Sequence, residues 1–396
     1  MTTAGVTPNF DIKQYTLSYT VTNPKGGFMT AKAKLLLPVT SMALDLVVYG
    51  HGSRILKANA PTLINISNYP YGSMMEDVHF FPMLASAGYA VLEPNYIGLD
   101  DDYVGIHPQS DTRILAQTVL HAIQATLSAA NQSSEINLTG DFVIGGYSEG
   151  GAMTWSALRD LREIPSDYPG LSINNLKGVF PGAAPTFEMK YGLDQVINTV
   201  GFSGVAGLVF EVLAKNDIYN FKSEPKDYFR AEFHSIIDRF DGSETLTALA
   251  TDLLTQLGGR APIEIFVDSE RDQAVTAYND IAADDSLDMD LAGTFIEQKF
   301  SNEVWNFDPG PSVPIFYLNF YQEDWIVFGH VTQAQSYMTT VGTAGDNFKI
   351  FDPERFINHG GTSSSYTDGT HTSHFTGEYY YFLTFASLLA DQFDAD

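Results

Sequence analysis

The chain has 396 residues, no cysteine, 21 Lys+Arg against 48 Asp+Glu, and a formal net charge of -27 at pH 7. The missing cysteine excludes disulfides, thiolate nucleophiles and cysteine-ligated metals, and the negative field argues against nucleic acid or an anionic membrane surface as partner. Apolar residues at 44% exclude global disorder, and the length suits one large α/β domain or a core carrying an insertion.

The chain opens without a basic segment leading into an apolar stretch, so no secretion signal is expected in it. Gln14 to Val21 and Ala31 to Pro38 alternate in the β manner around the turn Pro24-Lys25-Gly26-Gly27. Mainly apolar runs follow at Leu44 to Tyr49, Tyr89 to Leu92, Phe142 to Ile144, Lys177 to Phe180, Val313 to Phe320 and Phe348 to Phe351. Helix-period stretches such as Thr112 to Ala129 lie between several of them. Strands alternating with helices imply a mainly parallel sheet covered on both faces, an α/β fold whose chemistry gathers at the carboxyl ends of the strands.

The first of these core strands ends in Gly50-His51-Gly52-Ser53. A His-Gly turn there can supply a backbone oxyanion donor, with the N–H of Ser53 (or of Gly52) as candidate and His51 as a structural prop. Further on, Gly146-Tyr147-Ser148-Glu149-Gly150 stands between a strand and a helix-like stretch, the G-x-S-x-G nucleophile elbow. Ser148 sits at the apex of a turn too tight for side chains two residues away on either side. Its hydroxyl is the candidate nucleophile, and the N–H of Glu149 at the helix start faces a developing oxyanion.

From about Pro185 to Trp305 the rhythm breaks into helical stretches at Leu193 to Lys215, Tyr228 to Phe240 and Ser243 to Leu257. This predicts core segments at 1–184 and 306–396 with a cap or lid at 185–305. The apolar region Val196 to Ala214 is interrupted by Asn198, Thr199, Ser203 and Glu211. It reads as a buried helix, so stable membrane insertion is not expected.

A serine hydroxyl needs a histidine base, and the histidine needs an acid, expected in the order Ser, Asp, His. Pro262 to Asp272 offers Asp268 or Asp272 after a strand-like segment, and Pro314 to Asp324 offers Asp324 after a longer one. The second follows the predicted cap and is favoured. The base is expected in the loop entering the final aromatic helix. His374 stands closest to that entrance, His371 is the alternative base, and His359 is further away. A metal held by His371 and His374 lacks a third ligand in the sequence. The runs Asp100 to Asp102 and Asp284 to Asp290 lack the spaced calcium loop. No cofactor and no metal are expected.

Taken together, Leu35-Leu36-Leu37-Pro38, Gly50-His51-Gly52-Ser53, Gly88 to Leu99, Gly146 to Gly151 and Phe180-Pro181-Gly182-Ala183-Ala184-Pro185 resemble the α/β-hydrolases. Within them the likeness is to the secretory-lipase-type esterases of bacteria and fungi, over nearly the whole chain. The resemblance implies Ser148 as nucleophile, Asp324 as acid in preference to Asp272, the histidine before the last helix as base, and a helical lid. It implies ester hydrolysis through an acyl-enzyme, on short- to medium-chain esters of small molecules or lipids, by an exported bacterial protein. A serine peptidase or acyltransferase on the same fold, or a non-catalytic binding protein, are the competing expectations. Asn95 departs from the aspartate that many relatives carry in that turn, and the missing cysteines depart from the disulfides of fungal ones.

Overall fold

The computed structural model describes residues 7–65, 76–99, 101–109, 111–185, 192–284, 313–318, 322–323, 348–351, 371–372 and 374–393. Ten strands are seen among them: β1 (Ile12–Thr22), β2 (Phe28–Pro38), β3 (Leu44–Gly50), β4 (Ala90–Pro94), β5 (Leu138–Tyr147), β6 (Leu176–Gly182), β7 (Ile315–Leu318), β8 (Gln322–Glu323), β9 (Phe348–Phe351) and β10 (His371–Thr372). Eight form one sheet in the order β1-β2-β4-β3-β5-β6-β7-β9. The β1–β2 and β2–β4 pairings are antiparallel, and the rest of this sheet is parallel. The expected mainly parallel sheet is therefore present.

The apolar runs are continuous because both faces are covered. Neighbouring residues on one strand serve different cores. Val48, Ile144 and Tyr317 face α2 (Thr112–Gln132) and α3 (Glu149–Glu163). Val47, Val143 and Phe316 face α1 (Phe81–Ala87) and the C-terminal helix His374–Phe393. Each such fully buried side chain stabilises the fold by roughly 1.5–3 kcal/mol. Asp111 caps α2 by accepting a hydrogen bond from the Ile114 N–H.

Between β6 and β7 lies a third hydrophobic core, built on α4 (Leu193–Asn198), α5 (Val205–Tyr219), α6 (His234–Ile237), α7 (Leu246–Leu257) and α8 (Asp268–Asp284). Three expectations are corrected here. The periodicity of Tyr228 to Phe240 does not make one helix. Phe229 and Phe266 form an antiparallel bridge, the Arg230 N–H donates to the Ile265 carbonyl, and the Val267 N–H donates to that of Tyr228. The apolar side chains then bury from short turns. By the same bridge, Pro262 to Val267 is a 3₁₀ turn and an extended crossing instead of a sheet strand. Leu193 to Lys215 is also broken, between α4 and α5, around Gly201 at φ +75°.

The last helix, α9 (His374–Phe393), fixes how its start lies relative to the sheet. Phe385 packs against Gly145 and Phe180, whereas Tyr381 packs against Gly182 and hydrogen-bonds at Gly146. Walking back along α9 thus moves forward along β5 and β6, so the helix is antiparallel to them. The Tyr381 hydroxyl accepts from the Gly146 N–H at 2.9 Å and donates to the Phe180 carbonyl at 2.7 Å. Tyr381→Phe would leave that N–H buried without this partner. A loss of about 1–3 kcal/mol in urea unfolding is expected.

Candidate active site

The elbow predicted around Ser148 is formed at the carboxyl end of β5. Ser148 has φ 58° and ψ -119°, a conformation costly for a residue with a side chain. The neighbours enforce it. The Ser148 N–H donates to the Gly182 carbonyl at 2.9 Å, and the Ser148 carbonyl accepts from Gly151 at 2.9 Å and Ala152 at 3.2 Å. A Cβ on Gly150 would collide with the Gly50 carbonyl, and one on Gly146 would collide with the Gly150 carbonyl. Both obstacles are backbone and cannot swing aside. Gly150→Ala is expected to abolish soluble, cooperative folding, measurable as loss of a single thermal transition.

The loop after β3 lies beside this turn. A Cβ on Gly52 would stand 3.8 Å from that of Ser148. His51 is buried, and its Nδ1–H donates to the Gly52 carbonyl at 2.7 Å. Burial, and then the charge of Arg54, push its pKa well below the usual histidine range, so the ring is neutral. Its ring lies tilted against Tyr96 with centroids 3.9 Å apart, and the Tyr96 hydroxyl donates to the His51 carbonyl at 2.8 Å. Ser53 accepts a hydrogen bond at Oγ from Gln109 at 2.5 Å. Asn95 ties its own turn together: it donates to Thr62 and to the Leu99 carbonyl, and accepts from the Thr62 N–H. In the acidic run, Asp101 accepts from the N–H groups of Gly98 and Tyr103.

Two clusters near the elbow escaped sequence reasoning. In the first, Glu149 turns its side chain inward, where Oε1 lies 3.0 Å from Nε2 of His107. The other ring nitrogen, Nδ1, lies 2.8 Å from the Ile97 carbonyl. Both side chains are buried. In the second, Arg54 binds Glu76 and Asp77 at 2.6 Å each, and Lys34 binds Asp77 at 2.8 Å and Glu93 at 2.9 Å. Burial would raise the carboxyl of Asp77, but Arg54 and then Lys34 hold it well below the usual range. Burial pushes the carboxyls of Glu93 and of Glu378, on α9, well above it. Arg54 thus anchors the loop carrying Ser53 to the buried pair that precedes α1.

The candidate acids and bases divide sharply. Asp268 and Asp272 are on α8, exposed, and paired with Arg230 and Arg271 or with Arg271 alone. They do not follow a sheet strand. Asp324 and His359 lie outside the described residues. His371 begins β10, which pairs in parallel with β8: His371 opposite Gln322, Thr372 opposite Glu323. The backbone just before Asp324 is therefore joined to the backbone just before His374. His374 starts α9 seven residues before Tyr381, about 10 Å further toward the carboxyl edge at 1.5 Å per residue.

The fold is that of the α/β-hydrolases. The chain aligns with a proposed hydrolase of Legionella pneumophila (TM-score 0.75, 19% identity, 98% of this chain and 91% of that one). It aligns as well with LipA, a rice cell wall degrading esterase of Xanthomonas oryzae (TM-score 0.73, 19% identity, 98% and 92%). The closed state of Candida antarctica lipase A is more distant (TM-score 0.58, 13% identity, 100% and 92%). Among curated proteins none is significantly similar in sequence. The model of the secretory lipase family matches residues 72–266. Over that segment the chain is similar to the secretory lipases, and these likenesses together support a carboxylesterase/lipase hydrolase.

Proposed function

We propose that the protein hydrolyses carboxylic esters through a Ser148–His374–Asp324 triad and an acyl-enzyme. The observation that carries this reading is the strained Ser148 elbow, with both flanking glycines locked against backbone carbonyls. His374 takes the Ser148 proton as the hydroxyl attacks the ester carbonyl. The N–H groups of Glu149 and Ser53 hold the oxyanion. Histidinium then protonates the leaving alcohol, and a water activated by the same base clears the acyl group. Asp324 orients the imidazole. The pairing of β8 with β10 supports this assignment because it joins the two loops that carry acid and base. His371, on the paired strand itself, is the alternative base. The steps use side chains, backbone and water, with no cofactor or metal.

We assign residues 185–305 as a cap. Ile55 and Ile106, on loops after β3 and β4, pack into the helical core of 192–284. Lys215 and Tyr219 of α5 bind Asp111 at 3.2 and 2.7 Å. These contacts support helices standing over the carboxyl edge, where an acyl chain would enter. The substrate class is a small-molecule or lipid ester of short to medium chain. Nucleic acid is not a partner, and the site of action is outside the bacterial cytoplasm. Among the described residues no helix is long and apolar enough to cross a membrane.

Turnover of p-nitrophenyl esters from C2 to C16, beside a peptide p-nitroanilide, tests the reading. Ester turnover peaking at or below about C10, falling in acid as the base protonates, is expected. Peptide cleavage without ester turnover would overturn it. His374→Ala should lose at least about 10³-fold in kcat, and His371→Ala far less; the reverse would transfer the base to His371.

A further inference from the structure

The residue that follows Ser148 has a buried partner with no part in the reaction steps above. The ring of His107 makes a hydrogen bond at each nitrogen. A carbonyl only accepts, so Nδ1 must carry the hydrogen shared with Ile97. An ionised carboxylate also only accepts, so Nε2 must carry a second hydrogen if Glu149 is charged. The pair therefore holds one proton more than a neutral ring beside a carboxylate would supply, and an imidazole is the stronger base of the two. Glu149 is the first residue of α3, so whatever fixes its side chain also fixes the N–H assigned to the oxyanion.

We propose that His107, as an imidazolium paired with Glu149, is a positioning residue for the oxyanion hole. It holds the first turn of α3 in register with the loops after β3 and β4. The inference rests on the reading of Ser148 and Glu149 given above. The surroundings fit that role. His107 stacks on Tyr96 with centroids 5.3 Å apart and rings 17° from parallel, and Tyr96 in turn lies tilted against His51. Phe210 of α5 closes the far side at 6.1 Å. The charged or titratable groups facing the ring are Glu149 from α3, Asp101 from the loop after β4, and His51 from the loop after β3, with Arg54 next to His51 and the Tyr96 phenol against the face. Burial alone would lower the His107 pKa, but Glu149, the Ile97 carbonyl and Asp101 together carry it above the usual histidine value. A group raised in this way holds its proton through neutral pH and loses it as pH rises through the folded value. The alkaline side is therefore where the pair fails.

The experiment compares wild type with His107→Gln, whose amide cannot carry the charge. The full chain is used, and kcat is expressed per fluorophosphonate-titrated Ser148. In wild type we expect kcat to fall on the alkaline side. In His107→Gln we expect kcat lower by about 10- to 100-fold at pH 7, KM within about threefold, and no alkaline fall. In ¹⁵N-histidine spectra of the wild type at pH 7, the signal lost in His107→Gln should be an imidazolium with hydrogen on both nitrogens. A neutral ring, an unchanged kcat per titrated serine, or the same alkaline fall in the variant would each overturn the proposal. A purely structural role would reduce the titratable fraction and leave kcat per site alone. Failure of the hydrolase reading shows separately, as wild type that does not label on Ser148, and the spectra then still test the pair.

Discussion

Ser148→Ala is expected to lower kcat for p-nitrophenyl esters by about 10⁴- to 10⁶-fold while the thermal transition stays in place. The size follows from removing the attacking atom of the proposed triad, whose members would act as a unit. What survives is the contribution of the oxyanion donors and of binding, which is why the loss is finite. The stability expectation is separate. Ser148 keeps its backbone hydrogen bonds to Gly182, Gly151 and Ala152 whatever its side chain is. The hydroxyl therefore does not hold the turn. Circular dichroism melts beside steady-state rates check both halves, and a Ser148→Ala variant retaining more than about one hundredth of the wild-type kcat would contradict the assignment.

Asp77→Ala should destabilise the fold by about 3–5 kcal/mol, because it strands two buried cations. Arg54 and Lys34 each bind Asp77, and all three side chains are almost entirely inaccessible. Arg54 keeps Glu76 and Lys34 keeps Glu93, but Glu93 is held toward its protonated form. The pH dependence has a definite sign. The folded Asp77 carboxyl is depressed, so its contribution is present above the unfolded value near 3.9 and is lost as pH falls below it. Glu93, raised in the fold, acts oppositely: it costs stability as pH rises above its own unfolded value. Urea titrations between pH 3 and 7 should show wild type losing stability below about pH 4, and Asp77→Ala losing less over that interval. A variant as stable as wild type at pH 7 would show that the cations find other partners.

The parts legible in the sequence are those that local chemistry dictates. Ser148 declares itself because only glycine fits at positions 146 and 150 against the Gly50 backbone, a constraint written within five residues. The apolar runs at Leu44 to Tyr49 and Phe142 to Ile144 declare a sheet covered on both faces, since alternate residues serve different cores. Lys34 shows the limit. In Ala31-Lys32-Ala33-Lys34 it reads as an exposed position of an alternating strand, yet it is buried beneath the segment bearing Asp77, 43 residues away. His107 and Glu149, 42 residues apart, carry no periodic signal either, and only the folded approach of the β4 loop to α3 joins them. The segment Pro262 to Val267 misleads for a related reason. Its apolar content serves the helical core, and one bridge to Phe229 satisfies what looked like a strand. Asp324 and His359 lie outside the described residues, while β8 and β10 bring the approaches to Asp324 and His374 together through two paired residues on each strand.

The role of Ser148 as nucleophile is tested by fluorophosphonate labelling, read by mass spectrometry of the proteolytic peptides. One stoichiometric adduct is expected, on Ser148, with loss of p-nitrophenyl ester turnover in step with labelling. An adduct on any other serine, or full ester turnover in a protein labelled at Ser148, would contradict it.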